Sequence, residues 1–195
     1  MTRNGTKADV IRDAALDLFD REGYDAATMR GLADAVGIKA ASLYNHFRSK
    51  EDILWDLIQR AFDDLERGRL AAMEGLGPLN EDSSARLEAF YRAHVRFHAI
   101  NRASAEVINR QIRSLSPERF ASSVALRDEY QRHLEEIVLD GVGRGAFAVR
   151  DVHVTTFALL EMGMGVAMWY RPDGPLDVDE VCDIYARLAA KMVAP

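Results

Sequence analysis

Residues 38–47 place apolar and polar side chains on opposite faces of a predicted helix, and the polar set carries donors suited to nucleic acid. Ile38, Leu43 and Phe47 can point inward at spacings of five and four. The remaining positions then form an outer surface of the right size to enter a DNA major groove. That surface comprises Lys39, Ala40, Ser42, Tyr44, Asn45 and His46.

The chemistry of this surface divides into base contacts and phosphate contacts. Lys39, near the helix start, can donate to guanine O6 or N7, and Ala40 and Ala41 can pack on a thymine methyl group. Hydroxyls and cations that donate to phosphates would fix the register without reading sequence. The residues expected in that role are Thr28, Ser42, Tyr44, His46 and Lys50, with packing and solvation alone as the alternative for Tyr44 and His46. Arg3 and Lys7 add a short basic arm.

Three predicted helices position this surface. The helix before it begins at Thr28, whose hydroxyl can cap free amides, and ends at Gly37, where positive φ costs little. A first helix over about 7–22 supports this pair, and a long helix capped by Ser49 follows to about Glu74. Two short helices around a glycine turn are typical of a helix-turn-helix, here at about 28–47.

Composition favours an all-α chain. Apolar residues make up 48% of the 195 residues, only 5 prolines and 13 glycines interrupt them, and apolar spacings of three and four recur. The net charge of −6 is uneven, since residues 1–50 hold 8 Lys and Arg against 7 Asp and Glu, whereas residues 51–195 hold 17 against 24. The acidic excess therefore lies mostly outside the candidate DNA-binding region.

The remainder of the chain predicts five more helices, giving about nine in all. They are expected at about 83–101, 103–114, 117–143, 151–170 and 177–193. The apolar stretch Val154–Tyr170 contains Glu161 and is slightly short for a membrane span, so we expect a helix buried in protein. A single cysteine, Cys182, and the lack of a leader at the start favour the cytoplasm.

The N-terminal motifs closely resemble those of the tetracycline-repressor (TetR) family of one-component bacterial regulators. About 45 residues carry the match, over three consecutive helices. Where family members usually have Ser or Thr, this chain has Lys39, which offers a cation in place of a side-chain cap. The matching residues are Ala14, Ala15, Leu18, Phe19, Gly23, Tyr24, Thr28, Ala33, Val36, Gly37, Ser42, Leu43, Tyr44, His46, Phe47, Lys50 and Glu51.

A mixed aromatic and polar stripe after residue 80 suggests an effector cavity, with ordinary core as the alternative. A largely apolar ligand would contact the aromatic and imidazole groups, and a nearby arginine would hold its head group. The candidate residues are Phe90, His94, Phe97, Trp169, Arg102, Arg110 and Arg113. His94 and His98 at i, i+4 could share a metal, but no HExxH pattern accompanies them, so neither a metal nor a cofactor is predicted.

The last two predicted helices are expected to pair across a two-fold axis, as the TetR resemblance also implies. Small residues permit close approach of the backbones, and apolar residues form a stripe on each helix. The candidate interface residues are Ala158, Met162, Gly163, Gly165, Val166, Val181, Ile184 and Leu188, and Trp169 and Met192 extend the two stripes. The turn Trp169–Leu176 is similar to one in TetR-like regulators of fatty-acid and steroid catabolism, whose effectors are often acyl-CoA thioesters; a helical-hairpin turn is the alternative.

These observations predict a DNA-binding domain over residues 1–50 and a helical effector-binding and dimerisation domain over residues 51–195. The resemblance implies a homodimeric repressor that binds an inverted-repeat operator in double-stranded DNA and is released by a small, largely apolar effector such as an acyl-CoA. No catalytic motif is recognisable, so an enzyme is not predicted. The alternatives are a small-molecule-binding protein or enzyme with a vestigial helix-turn-helix, and a DNA-binding protein without an effector.

Overall fold

The computed structural model describes residues 6–77 and 82–195, and in those ranges the chain forms α-helices, one short 3-10 helix and no strand. Counting α8 and α9, which only Gly165 separates, as one helix gives the nine helices that the sequence predicts. The helices are α1 (Lys7–Glu22), α2 (Met29–Val36), α3 (Ala40–Tyr44), α4 (Lys50–Met73), α5 (Ser83–Ile100), α6 (Arg102–Gln111), the 3-10 helix (Ile112–Ser114), α7 (Pro117–Gly143), α8 (Val152–Met164), α9 (Val166–Trp169) and α10 (Val178–Val193).

Local capping chemistry sets the helix boundaries. The hydroxyl of Thr28 accepts a hydrogen bond from the amide of Gly31 at 3.0 Å, and α2 ends at Gly37, whose φ of 71° is left-handed. At the start of α4, the hydroxyl of Ser49 accepts from the amide of Asp52 at 3.0 Å. These bonds satisfy amides that the first turn of a helix leaves without partners, so the predicted starts are confirmed.

The chain divides into two compact units. The first comprises Met1–Ala61 and Ala103–Ser123, and the second comprises Phe62–Arg102 and Val124–Pro195. Both α4 and α7 contribute residues to each unit. The first unit thus contains the predicted DNA-binding region together with residues 51–61 and 103–123, and a functional boundary after residue 50 stays a prediction.

Within the first unit, α1 packs against α2 and α2 against α3 around a core that includes Ile11, Leu32 and Leu43, all fully buried. Residues 103–123 attach to the start of α4 through polar contacts. The carboxylate of Glu51 accepts a hydrogen bond from the amide of Ser116 at 2.9 Å, and Asp52 forms an ion pair with Arg119.

Within the second unit, α5 is the central helix and packs against α8, α9 and α10. The hydroxyl of Tyr91 donates to the carbonyl oxygen of Leu159 at 2.7 Å, which joins α5 to α8. Arg92 forms an ion pair with Asp183 and joins α5 to α10. The core of this unit includes Leu87, Phe90, Tyr91, Leu134, Leu159 and Val166, each 0–1% exposed.

The stretch Val152–Trp169 is helical, 18 residues long and apolar enough to cross a membrane by length and composition, with a mean hydropathy of 1.2. One third of it is buried inside the protein. Core helices of water-soluble proteins have the same length and composition, so this property alone does not indicate a span. The sequence predicts a helix buried in protein, whereas α8 buries one face and leaves Val154 and Phe157 exposed.

Candidate functional site

The α3 helix presents its polar face to solvent above two buried anchors. Leu43 is fully buried and Phe47 is 7% exposed, so these side chains fix the helix against the first unit. Tyr44, between them, is 52% exposed. The predicted surface residues Lys39, Ala40, Ala41, Asn45 and His46 are exposed, and Ser42 is half-buried. A short helix held by its apolar face and exposed on its polar face can enter a major groove.

Lys39 stands at the N-cap of α3 and makes no side-chain cap hydrogen bond. Its backbone is extended, and its carbonyl oxygen accepts from the amides of Ser42 at 2.8 Å and Leu43 at 3.3 Å. The backbone therefore starts the helix while the ammonium group remains exposed. This geometry suits a base contact from the first turn of the helix.

The contacts of Lys50 differ from the phosphate contact that the sequence predicts. Its ammonium group donates to the carbonyl oxygens of Tyr24 at 2.7 Å, Asp25 at 3.2 Å and Ala27 at 3.3 Å. It also lies 4.4 Å from the centroid of the Tyr24 ring, in a cation–π contact. The structure therefore uses this cation to tie the start of α4 to the loop that precedes α2.

Two exposed arginines of the first unit were missed by the sequence analysis. Arg30 lies on α2 and Arg48 lies between α3 and α4, and neither forms an ion pair with any residue that the structure describes. The signal available in the sequence was their positive charge within the predicted helix-turn-helix segment and directly after it. Lys7, the described member of the predicted basic arm, is exposed, whereas Arg3 lies outside the described residues.

Three of the candidate effector residues lie together inside the second unit. Phe90, His94 and Phe97 are 0%, 2% and 8% exposed on α5. Phe90 stacks on His94 with ring centroids 6.3 Å apart, and Tyr130 of α7 packs on Phe90 at 5.2 Å. The stripe is therefore buried core in this structure, as one of the two interpretations of the sequence expects.

The buried imidazole of His94 has two polar neighbours. Nε2 is 3.1 Å from the carbonyl oxygen of Leu160, and Nδ1 is 3.3 Å from the hydroxyl oxygen of Tyr130. Desolvation lowers the pKa of His94 to about 4, so the ring is neutral at neutral pH. Burial also lowers the pKa of His98, whose ring packs edge-on against His94 at 4.7 Å.

The other candidate effector residues make different contacts or belong to the first compact unit. The indole of Trp169 is 48% exposed and its Nε1 donates to the hydroxyl of Tyr185 at 3.2 Å. Nε of Arg102 donates to the carbonyl oxygen of Ala167 at 2.9 Å. Arg110 and Arg113 are exposed and belong to the first compact unit, whereas the aromatic cluster belongs to the second.

A pocket of about 170 Å³ opens beside Tyr130, which sequence reasoning did not identify. It lies between α4 and α7 in the second unit. Because its two walls come from distant parts of the sequence, no local motif could have indicated it. The lining residues are Phe62, Asp63, Glu66, Leu126, Glu129 and Tyr130.

The predicted dimer residues separate into exposed and buried groups. Ala158, Ile184 and Leu188 are exposed, and Met162 and Gly165 are half-buried. Gly163, Val166 and Val181 are instead buried inside the protomer, which removes them from the exposed face. Trp169 and Met192, which extend the two predicted stripes, are also exposed, and three further exposed apolar side chains on the same helices were missed, namely Val154, Phe157 and Met168.

Comparison with known proteins identifies the family of this chain. A family model described as bacterial regulatory proteins of the tetR family matches residues 11–57. A second model, described as the tetracyclin repressor-like C-terminal domain, matches residues 80–193, which is more than half of the chain. The chain belongs to the TetR family.

Individual relatives of this TetR protein span nearly its whole length. The transcriptional repressor KstR2 of Rhodococcus jostii is 30% identical over 186 residues, covering 94% of this chain and 88% of the relative. The crystal structure of the TetR regulator PfmR from Thermus thermophilus matches with a TM-score of 0.82 at 35% identity, covering 93% and 97% of the two chains. AibR, solved in complex with isovaleryl coenzyme A and operator DNA, shares the fold with a TM-score of 0.81 at 24% identity, covering 97% and 99%.

Family membership confirms several predictions from the sequence. This TetR protein is a ligand-responsive, DNA-binding transcriptional regulator, and its matching models and relatives are regulators rather than enzymes. Its partners are operator DNA and a small-molecule effector. The all-α architecture with an N-terminal helix-turn-helix is confirmed as well.

Proposed function

We propose that this TetR regulator is a homodimeric repressor that places two α3 helices in successive major grooves of an inverted-repeat operator. The observation that supports this most directly is the exposed face of α3, with Lys39 and Tyr44 outward over buried Leu43 and Phe47. A five-residue helix contacts few base pairs. Tight, specific binding therefore calls for two copies on a two-fold repeat.

The exposed apolar residues of α8 and α10 support the dimer. Phe157 is 51% exposed on α8, and Ile184, Leu188 and Met192 are 36–43% exposed on α10. Positions 184, 188 and 192 recur every four residues, so these side chains share one face of the helix. An apolar face of this kind on a water-exposed protein is typical of an interface. A protein with these properties, bound to chromosomal DNA, would act in the cytoplasm.

We infer that a small, largely apolar effector releases the operator. KstR2 is a repressor and AibR was solved with an acyl-CoA, so thioesters of this type are one effector class to test. Release requires only that the effector bind more tightly to the conformation that fits DNA less well. Because α4 carries residues of both compact units, it is the natural element to transmit this preference.

The DNA-reading role is tested by Lys39→Ala with Lys191→Ala as the matched control. Both remove one exposed lysine, but Lys191 lies near the end of α10 in the second unit. With DNA fragments from the upstream region of the protein's own gene, Lys39→Ala should cost roughly 1–3 kcal/mol of binding and relax preference at one base pair. Equal binding by both variants would contradict the orientation assigned to α3.

Effector control is tested by linkage. Calorimetric titration with acyl-CoA esters, free acids, alcohols and amines should find a compound whose affinity falls when operator DNA is present. The same compound must lower operator affinity by the same factor, because coupling between two binding sites is reciprocal. Operator binding that no compound in the panel alters would favour a regulator without an effector of these classes, and absence of operator binding would favour a vestigial helix-turn-helix.

A further inference from the structure

Most of the charged and histidine side chains on α8 and α10 have a bonding partner within the protomer. The pairs are His153 with Glu135, Asp179 with Arg96 and Asp183 with Arg92, and the carboxylate of Glu180 accepts from the amide of Asp177. Three charged side chains are left, namely Glu161 on α8 and Arg187 and Lys191 on α10. All three are exposed and form no ion pair among the residues that the structure describes. One helix therefore presents an anion without a partner, and the other presents two cations.

Glu161 lies in the middle of the apolar face that α8 exposes. Val154 and Phe157 are 62% and 51% exposed, seven and four residues before it, and Met168 is 75% exposed seven residues after it. Positions that differ by four or seven share one face of a helix, and the helical dihedral angles of Gly165 (φ −58°, ψ −21°) continue this face from α8 into α9. Another molecule that covers this face would therefore bury the Glu161 carboxylate.

The two cations lie on the exposed apolar face of α10. Ile184 and Leu188 of this face are 36% and 41% exposed. Arg187 follows Ile184 by three residues, and Lys191 follows Leu188 by three. Side chains three residues apart are neighbours on a helix surface, so each cation adjoins the apolar side chains. The exposed face of α10 is thus apolar with positive charge, whereas that of α8 is apolar with negative charge.

Two-fold symmetry limits which of these faces can meet. In a dimer of two identical copies, a residue close to the two-fold axis faces its own counterpart. Packing α8 on α8 of a second copy would bring two Glu161 carboxylates together, and packing α10 on α10 would bring cations together. Like charges placed together at an interface cost free energy. Packing α8 of each copy on α10 of the other instead sets every carboxylate beside cations.

We propose that α8 of one protomer packs on α10 of a second copy and that Glu161 forms an ion pair with Arg187 of that copy, twice per dimer. This inference rests on the proposed dimer and adds the contact that fixes its register. A carboxylate buried at an interface needs a charged partner, and arginine suits this role better than lysine because its guanidinium is weakly hydrated and can donate two hydrogen bonds to one carboxylate. Sliding the two helices by one turn, about 5.4 Å, would separate the two charges, so the pair opposes other registers.

Exchange of the two charges provides the test, because it predicts both loss and recovery. A Glu161→Arg homodimer sets two cations at each contact, and an Arg187→Glu homodimer sets two anions there. Sedimentation across a concentration series should show that the dissociation constant of each single variant rises at least about tenfold. The protein with both substitutions restores opposite charges and should dimerise within about threefold of wild type.

A mixture of the two single variants gives a second measurement of recovery. In a heterodimer of Glu161→Arg with Arg187→Glu, both symmetry-related contacts join opposite charges. The mixture should therefore dimerise about as tightly as wild type, although neither variant does so alone. Failure of both the mixture and the double variant to recover would overturn the pair, even if the single variants dissociate.

Lys191→Glu is the matched control, since it makes the same kind of charge change on the same face of α10, one turn beyond Arg187. Mixed with Glu161→Arg, it should dimerise at least about fivefold more weakly than wild type, because Arg187 remains opposite a cation at one of the two contacts. Recovery as complete as that obtained with Arg187→Glu would assign the contact to Lys191 and overturn the proposed pair.

Neutral substitutions keep the test decisive if a charge-reversal variant does not fold, which circular dichroism establishes. Glu161→Gln and Arg187→Gln each remove the pair, and so does their combination. The combined rise in the dissociation constant should be at least about threefold smaller than the product of the two single effects. A combined effect equal to that product would show that the two residues do not interact and would overturn the pair.

The wild-type protein separates failure of this inference from failure of the proposed function. A wild-type monomer throughout the concentration series would contradict the proposed dimer and the pair with it. A wild-type dimer whose dissociation constant is unchanged by Glu161→Arg and by Arg187→Glu would overturn the pair alone. Operator affinity should follow dimerisation, falling in each single variant and recovering in their mixture, because a monomer contacts one half-site.

Discussion

Gly163 of α8 lies directly against the imidazole of His94, since a Cβ built on this glycine would be 2.3 Å from Cδ2 of the ring and 2.8 Å from Nε2. Neither atom can move away freely, because His94 is buried and Nε2 is held at the carbonyl oxygen of Leu160. The glycine that the sequence suggested for close approach between protomers thus permits close approach of α8 to α5 within one protomer.

Gly163→Ala should therefore destabilise the protein by roughly 1–3 kcal/mol, through overpacking against His94. Gly68→Ala is the control, because Gly68 lies within α4 and a Cβ there meets nothing within 4 Å. Alanine should stabilise that position by roughly 0.5–1 kcal/mol. Urea unfolding followed by circular dichroism measures both, and a stabilised Gly163→Ala would contradict the contact.

Lys50→Met should lower the stability of the first compact unit, because the Lys50 ammonium group bonds carbonyl oxygens of the protein itself. The substitution leaves the carbonyl oxygens of Tyr24, Asp25 and Ala27 without the ammonium donor. A hydrogen bond to a charged group contributes roughly 1.5–3 kcal/mol, and we expect the unfolding free energy to fall by about that amount for the three contacts together. Arg48→Met removes an exposed cation two residues earlier and should leave the unfolding free energy within about 0.5 kcal/mol of wild type.

For DNA affinity the order of the two variants should be reversed, so that Arg48→Met loses more affinity than Lys50→Met, if each cation acts as the structure places it. Arg48→Met should weaken binding to all sequences and reduce its salt dependence, because an exposed cation beside α3 can meet a phosphate. Lys50→Met, measured at a temperature where it is fully folded, should keep most of its affinity. A stable Lys50→Met protein with a reduced salt dependence would restore the phosphate contact predicted from the sequence.

The contrast between Lys50 and Gly37 explains how far sequence reasoning reached. Gly37, Thr28 and Ser49 act on amides or dihedral angles within three residues of themselves, so their roles follow from local chemistry. Lys50 bonds a carbonyl 26 residues away. Nothing in its own neighbourhood distinguishes an ammonium group aimed at solvent from one aimed at that loop.

In the second unit, too, packing between distant helices decides which side chains are buried. The buried positions of Val166 and Val181 depend on how α8, α9 and α10 rotate against α5, and an apolar stripe alone does not distinguish a core face from an interface face. The stripe on α5 predicted a cavity at Phe90 and His94. The structure places the open space beside Tyr130 instead, because Phe90 and Tyr130 pack together and close the inner side.

Stability should fall as pH drops from about 6.5 toward about 4, because His94 is neutral in the folded protein. Its folded pKa of about 4 is below the unfolded value near 6.5, so within this window the unfolded chain binds the proton more strongly. His98 is shifted in the same direction. The contribution of His94 is fully present above the unfolded pKa and amounts to roughly 3 kcal/mol.

Urea unfolding at about pH 7.5 and about pH 5 measures this loss. His94→Gln, which keeps an amide donor for the Leu160 carbonyl oxygen, should reduce the difference between the two pH values by about 2 kcal/mol. His46→Gln changes an exposed histidine of α3's outer surface and serves as the control. The same pH difference in His94→Gln and wild type would show that another group carries the acid sensitivity.

Leu188→Glu should dissociate the proposed dimer. Leu188 is 41% exposed on α10, one helical turn from Ile184 and Met192, and a carboxylate there would be buried against the partner's apolar face. The dissociation constant should rise about 30-fold or more, equivalent to roughly 2 kcal/mol.

Leu139→Glu is the control, because Leu139 is 55% exposed on α7, outside the apolar face of α8 and α10. Sedimentation across a concentration series distinguishes the two variants. Operator affinity should fall with Leu188→Glu, since a monomer contacts one half-site. An intact dimer in Leu188→Glu beside a dissociated Leu139→Glu would assign the interface to α7.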